Sequence, residues 1–298
     1  MSWEIKPIKH YVINLIIMKK ILFFCFLLSL VACETKEDKI NKAKEAVSLF
    51  ITSTNLENFD DIYTYYPTAK EMDSFWKLND FKVTNTIVKD EIVIIIGIAG
   101  KREIYFELKK EKGNYIITKT KGLSIHFDSK LYTFCKNIGC IPSDAYDVEI
   151  SKVCKKNKFL FDSLVTRIKN NIESNVGLVN MSASKEPMSS GIWDRTDQVW
   201  VRGNIEYKNL SKYTIPSSTY NLYVNFLDKN KNILLRKKEY AYGSISFGES
   251  NTISIFEMNL NDKVEGASVS LEITDTDFIE DIIAKYAKGD NCKYSYNL

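Results

Sequence analysis

The feature that most constrains this chain is the stretch "ILFFCFLLSLVAC", Ile21 to Cys33. Lys19 and Lys20 precede it, and the polar run "ETKED" follows it at once. The apolar part, Ile21 to Ala32, would span roughly 18 Å as a helix, well short of the ~30 Å hydrocarbon core of a bilayer. Extending it back through Tyr11 to Ile17 would bury both lysines in the membrane at a cost of several kcal/mol. A positive start, a short apolar run and small residues ahead of a cut site are the pattern of an export leader.

The closing quartet, Leu30-Val31-Ala32-Cys33, resembles the lipobox of bacterial lipoproteins. The resemblance implies that Cys33 becomes the first residue of the mature chain, its thiol carrying a diacylglycerol and its new amino terminus an acyl chain such as palmitate. "MKKILFFCFLLSLVAC" is then a complete signal peptide over 18–32, 1–17 is an upstream extension, and 33–39 is a lipidated tether. Within that tether Lys36-Glu37-Asp38 resembles the surface-export signal of lipoproteins in the Bacteroidetes. No Asp follows Cys33, which favours the outer membrane over retention at the inner one. The expected address is the cell envelope, with the protein lipid-anchored at the outer membrane and the cell surface open as its final side.

Removing the leader and extension takes Lys6, Lys9, Lys19, Lys20 and Glu4 from the 41 basic and 38 acidic residues, leaving 37 of each. A neutral mature chain with no basic stripe speaks against a nucleic-acid partner. Its 266 residues suit two modest domains.

Of the six cysteines, Cys25 leaves with the leader and Cys33 takes lipid. Cys135, Cys140, Cys154 and Cys292 remain, an even number that in an oxidising compartment suggests two disulfides with three connectivities. The favoured pairing is a local Cys135–Cys140 loop and a Cys154–Cys292 clasp. A metal site is not expected, since the C-x4-C spacing is wrong and His126 is the only mature histidine. No cofactor is expected.

After the tether, Ile40, Ala43, Val47, Phe50 and Ile51 fall at helical spacing, and Asn58–Tyr65 and Ala69–Leu78 read as shorter helices broken apart by Pro67. Four strand-like runs follow: Phe81–Val88, Ile92–Ile98, Arg102–Leu108 and Tyr115–Thr120, turning at Asp90-Glu91 and Gly113-Asn114. Helices followed by an antiparallel meander give an α+β domain over 40–122. This order of elements resembles the NTF2-like and cystatin-like domains of small exported proteins. A cysteine-containing connector occupies 123–157, with a short helix from Leu131 ended by Gly139. The rest, 158–298, opens on an amphipathic helix through Phe159, Leu164, Val165, Ile168 and Ile172, with Phe161 off its stripe.

"SASKEPMSSG", Ser182 to Gly191, reads as a linker by composition. From Gln198 the chain alternates as strands at Trp200–Tyr207, Tyr220–Phe226, Thr252–Phe256 and Ser268–Thr274, followed by a last helix through Phe278, Ile282 and Tyr286 capped by Asp275 or Thr276. Short strands at such spacing point to an all-β sandwich with flanking helices. The segments "VRGNIEYKNLS", "YNLYVNFLDKNKNIL" and "SFGESNTISI" resemble the FxLYD-type immunoglobulin-like domains of bacterial envelope lipoproteins, with Gly203, Asn209, Asp228, Gly248 and Glu249 in the recurring places and Phe247-Gly248 where a Pro-Gly recurs.

No nucleophile elbow or glycine-rich phosphate loop occurs, and adjacent acids such as Asp60-Asp61 and Glu280-Asp281 point apart on a helix. His126 and Asp128 alone do not make a catalytic set. Trp193 and Trp200 are the candidate binding aromatics, able to stack on a sugar or anchor a protein, although alternation is read as turning Trp200 inward. The expected function is non-enzymatic binding or assembly at the outer membrane, with an envelope protein or a glycan as partner. The alternative is a small-molecule or glycan pocket between sheet and helices of the α+β domain.

Overall fold

The computed structural model describes residues 34–72, 75–124, 129–190, 193–240 and 243–295. Cys33, the leader, the 1–17 extension, His126, Asp128 and Tyr242 lie outside the described residues. The described residues divide into two compact units, one within Met1–Ile125 and Asp144–Lys152, the other within His126–Ser143 and Val153–Leu298. The expected connector, 123–157, is therefore shared between them rather than standing apart.

The first unit begins earlier than expected. Helix α1 spans Lys36–Asn55, so the segment expected as a tether is already folded. A reciprocal capping box starts it: Thr35 accepts from the Asp38 backbone N–H, and Asp38 accepts from the Thr35 N–H. Helix α2, Phe59–Tyr65, follows as expected. The helix expected over Ala69–Leu78 is absent; Pro67–Glu71 makes only a 3₁₀ turn, and Phe75 pairs with Ser124 in an isolated bridge. Proline fixes the start of that turn but cannot nucleate a longer helix without an apolar stripe behind it.

Strands β1 (Lys82–Lys89), β2 (Ile92–Ala99), β3 (Arg102–Glu111) and β4 (Asn114–Lys121) form the expected antiparallel meander in the order β1-β2-β3-β4. Asp90 and Gly113 turn the chain at positive φ, as tight hairpins require. Ala43, Val47 and Phe50 of α1 join Val93 and Ile95 of β2, Ile104, Phe106 and Leu108 of β3, and Ile117 of β4 in one core. Phe50 meets both Tyr66 and Phe106 edge-on at 6.0 Å, and Phe81 meets Phe106 at 5.6 Å.

Helix α3, Lys130–Asn137, ends near Gly139, whose φ of +73° suits a residue without Cβ. Helix α4, Asp147–Ser174, contributes its first residues to the first unit and the remainder to the second. Its buried residues in the second unit, Cys154, Phe161, Leu164, Ile168 and Ile172, lie at spacings of three, four and seven. Phe161 is thus on the buried stripe and Phe159 is 83% exposed, the reverse of the sequence expectation. The helix starts at Asp147, so Ile150 and Cys154 set its phase rather than Phe159.

In the second unit, β5 (Val176–Ser190), β6 (Trp193–Asn209) and β9 (Ser250–Asn261) form one three-stranded antiparallel sheet. Strands β7 (Tyr220–Leu227), β8 (Ile233–Glu239) and β10 (Gly266–Ile273) form another, in the order β10-β7-β8. The chain is therefore α+β followed by a β-rich part. The expected linker at Ser182–Gly191 falls largely in β5, where Ser182 faces Asn204 and Lys185 faces Val201 across the ladder. Its polar side chains from Ser182 to Glu186 suit a solvent-facing strand of the β5–β6 hairpin.

Helix α5, Asp277–Tyr286, packs against α3: Lys130 bridges Asp277 and Asp281, and Asn137 donates to the Ala284 carbonyl at 2.7 Å. Its start is served by Asp275, which accepts from the Asp277 N–H, while the Thr276 hydroxyl makes no cap bond. A last hairpin, β11 (Lys288–Asp290) and β12 (Lys293–Ser295), lies against the end of α3, where the Cys292 N–H donates to the Ile138 carbonyl.

That contact decides the disulfide. Cys140 bonds Cys292, with Cα atoms 4.5 Å apart. The tail is clasped as expected, but by Cys140 and not by Cys154, and the local Cys135–Cys140 loop does not form. Cys135 is fully buried within α3, whereas Cys140 lies past the helix end, beside the final hairpin.

Candidate binding face

The β5–β6 hairpin, the longest among the described residues, sets up this face. Along β6, Val199, Val201, Ile205 and Tyr207 are buried, which turns Trp200, Arg202, Asn204 and Glu206 to the opposite side. Trp200 is 39% exposed, so its assignment to the interior is corrected: it shares parity with an arginine, an asparagine and a glutamate. In the ladder Arg202 stands opposite Phe256 and Asn204 opposite Ser254 on β9, while Glu186, Ser184 and Ser182 of β5 stand opposite Trp200, Arg202 and Asn204.

Trp200 and Phe256 meet edge to face, their ring centroids 5.9 Å apart at 87°. Both rings keep solvent-facing surface, Phe256 being 48% exposed. Beside them lies an open depression of about 570 Å³ lined by Arg202, Gly203, Asn204, Ser254, Ile255 and Phe256. The Ser254 hydroxyl donates to Asn204 Oδ1 at 2.9 Å, which fixes the amide in the floor of the depression. Aromatic edges and faces, an arginine, an amide and hydroxyls on one rigid sheet can stack on an apolar surface and hydrogen-bond the polar groups around it.

Gly203 lets this sheet close. A Cβ there would collide with the Ser182 carbonyl and with Ala183 on the facing strand. The other positions that carry the FxLYD resemblance are structural. Asn209, fully buried, donates to the Tyr213 and Ile245 carbonyls at 2.8 and 3.0 Å and accepts from the Ser211 N–H and hydroxyl. Asp228 accepts from the Asn232 side-chain amide at 2.9 Å and from the Asn230 and Asn232 N–H groups at the β7–β8 turn, and the bonds from Asn232, the side-chain one foremost, hold its carboxyl below its ordinary value. Glu249 accepts from the Ser246 N–H in the turn before β9.

The remaining expected sites are dispersed. Trp193 opens β6 opposite Ser190, and its side chain lies outside the described ones. Lys36, Glu37 and Asp38 form the exposed first turn of α1, with Asp38 held in the capping box. Arg202, Asn204, Ser254 and Phe256 were missed by sequence reasoning. The alternation through Trp200 exposed the first two, whereas the β9 partners required the strand register.

In the first unit, Phe50, Ile62, Tyr66, Phe106, Leu108 and Leu123 are buried together in the core of the helices and the sheet. Among the described residues, no cluster of three or more His, Cys, Asp or Glu side chains is arranged to hold a metal ion. No described helix is long and apolar enough to cross a membrane. No protein-family model and no curated protein matches this chain.

Proposed function

We propose that the chain is a lipid-anchored envelope protein, acylated at Cys33 and acting without catalysis as a binding or assembly module at the outer membrane. The single structural observation that supports binding is the exposed Trp200–Phe256 pair flanked by Arg202, Asn204 and Ser254 on one sheet face. The anchor rests on the lipobox quartet and the leader ahead of it. Diacylglycerol plus an N-acyl chain, at about 0.8 kcal/mol per buried CH₂, holds a protein in the bilayer effectively permanently. The two three-stranded sheets are read as halves of an immunoglobulin-like sandwich, each with alternate apolar residues turned inward. The large side chains buried in the core of the first unit, Phe50, Tyr66 and Phe106 among them, support a surface-binding role over the pocket alternative.

Two linked measurements test this reading. Palmitate labelling with intact-mass analysis should give a labelled chain beginning at Cys33, with label and processing lost in Cys33→Ala. A photo-crosslinking residue at position 202 should trap envelope material in cells, several-fold less when Trp200→Ala and Phe256→Ala are added. The same probe at the exposed turn residue Lys231 serves as control. An unlabelled, unprocessed chain would overturn the anchor, and equal trapping from positions 202 and 231 would overturn the binding face.

A further inference from the structure

We propose that Cys135 and Cys154 form a second disulfide in the mature protein, so that the α3 segment is bonded covalently to α4 as well as to the C-terminal hairpin. The two thiols come from different helices of the same unit and are both fully buried. They touch directly: the Cys135 and Cys154 side chains are hydrogen-bonded to one another. With Cys140 and Cys292 already joined, each of these thiols has the other as its adjacent partner. The surroundings are aromatic, with the Phe134 ring 5.5 Å from Phe161 and 6.0 Å from Tyr294. The hydrogen bond from Cys154 lowers the Cys135 pKa, against the opposing effect of burial.

The oxidant is a disulfide donor of the thiol–oxidoreductase class in an oxidising compartment, which the proposed export would provide. The Cys135 thiolate attacks one donor sulfur, giving a mixed disulfide and releasing the first donor thiol. The Cys154 thiolate then attacks Cys135 Sγ, the protein S–S bond forms, and the second donor thiol leaves. The protein gives up two electrons and two protons, and the donor disulfide is reduced to two thiols. Because neither thiol reaches solvent in the folded unit, exchange must occur while α3 is still away from α4.

The test uses the full-length wild-type chain, unfolded, reduced and refolded in a glutathione buffer with oxidised glutathione as donor. Peptide mapping after alkylation should find one cross-linked species joining the Cys135 and Cys154 peptides and another joining those of Cys140 and Cys292. When the chain is refolded under reducing conditions and then exposed to the same donor, the Cys135–Cys154 bond should form at least about tenfold more slowly, as burial requires. Free alkylation of Cys135 and Cys154 after oxidative refolding, or cross-links joining Cys135 to Cys140, would overturn the pairing. Cys135→Ser and Cys154→Ser should each leave the other thiol alkylatable only in denaturant, while the Cys140–Cys292 link persists. Alkylation trapping in the host separates the proposal from the address. A chain that pairs Cys135 with Cys154 in glutathione but is trapped reduced in cells would refute the disulfide in the mature protein and count against export. A chain that fails to pair them in either setting refutes the disulfide and leaves the anchor to be judged by its own label.

Discussion

The Thr120 hydroxyl donates a 2.6 Å hydrogen bond to Asp147 Oδ2, in a part of the first unit closed to solvent. The same carboxylate accepts from the Gly122 and Leu123 N–H groups, at 3.2 and 3.0 Å. It is the acceptor on which the chain leaving β4 is organised. Asp147→Ala should destabilise the first unit by about 2–3 kcal/mol, because a hydroxyl and backbone donors are left buried and unpaired. Chemical denaturation followed through the tyrosines of this unit checks it.

Burial pushes the Asp147 carboxyl above its ordinary value, and the hydrogen bonds only partly oppose it. The folded state therefore binds the proton before the unfolded chain does, and the contribution of Asp147 to stability rises as pH falls through its folded pKa toward the ordinary one. Glu34 runs the other way. Bonds to Lys110 and Lys42 bring its pKa from 4.5 down to about 2, so its contribution is present above 4.5 and is lost as pH falls toward 2. Plotted against pH, the stability of wild type relative to Asp147→Asn should rise on acidification, and that relative to Glu34→Gln should fall. Parallel curves would contradict both assignments.

Asn209→Ala should cost about 3 kcal/mol, the cost of leaving two carbonyls and the Ser211 donors without a partner inside the second unit. Asn209→Asp should not rescue it, since a carboxylate cannot donate to the Tyr213 and Ile245 carbonyls. Urea midpoints of the three proteins decide this.

Gly203→Ala should loosen the β5–β6 pairing and lower stability by more than about 1 kcal/mol, because the methyl group meets the facing strand's backbone. Gly177→Ala, in the same sheet with open space around it, should change stability by less than about 0.5 kcal/mol. Hydrogen exchange along β5 would show the loosening directly, and equal effects of the two substitutions would refute the close-approach argument.

The meander of the first unit was legible because its signals are local: Ile104, Phe106 and Leu108 alternate, and Asp90-Glu91 and Gly113-Asn114 mark the turns. What escaped was set by partners outside the segment itself. Ser182–Ser190 looks like a linker until Gly203 and Asn204 are placed opposite it, and Cys140 looks like a neighbour of Cys135 until Cys292 arrives from the other end of the chain. Two errors were avoidable. Thr35 and Asp38 carry a capping-box spacing that places the helix start at Lys36, and Trp200 shares its strand parity with Arg202 and Asn204.

The early start of α1 bears on how such a molecule would stand on a membrane. Glu34 is tied to Lys42 at 2.7 Å and to Lys110 at 2.8 Å, so the fold grips the chain one residue after Cys33, the proposed site of acylation. At ~3.5 Å per residue there is almost no slack between lipid and protein. Unlike a ball on a string, which sweeps a hemisphere, the first unit would stand with Lys42 and Lys110 held at headgroup height. A partner of the first unit would meet it at the bilayer plane, where diffusion in two dimensions rather than chain length governs encounter.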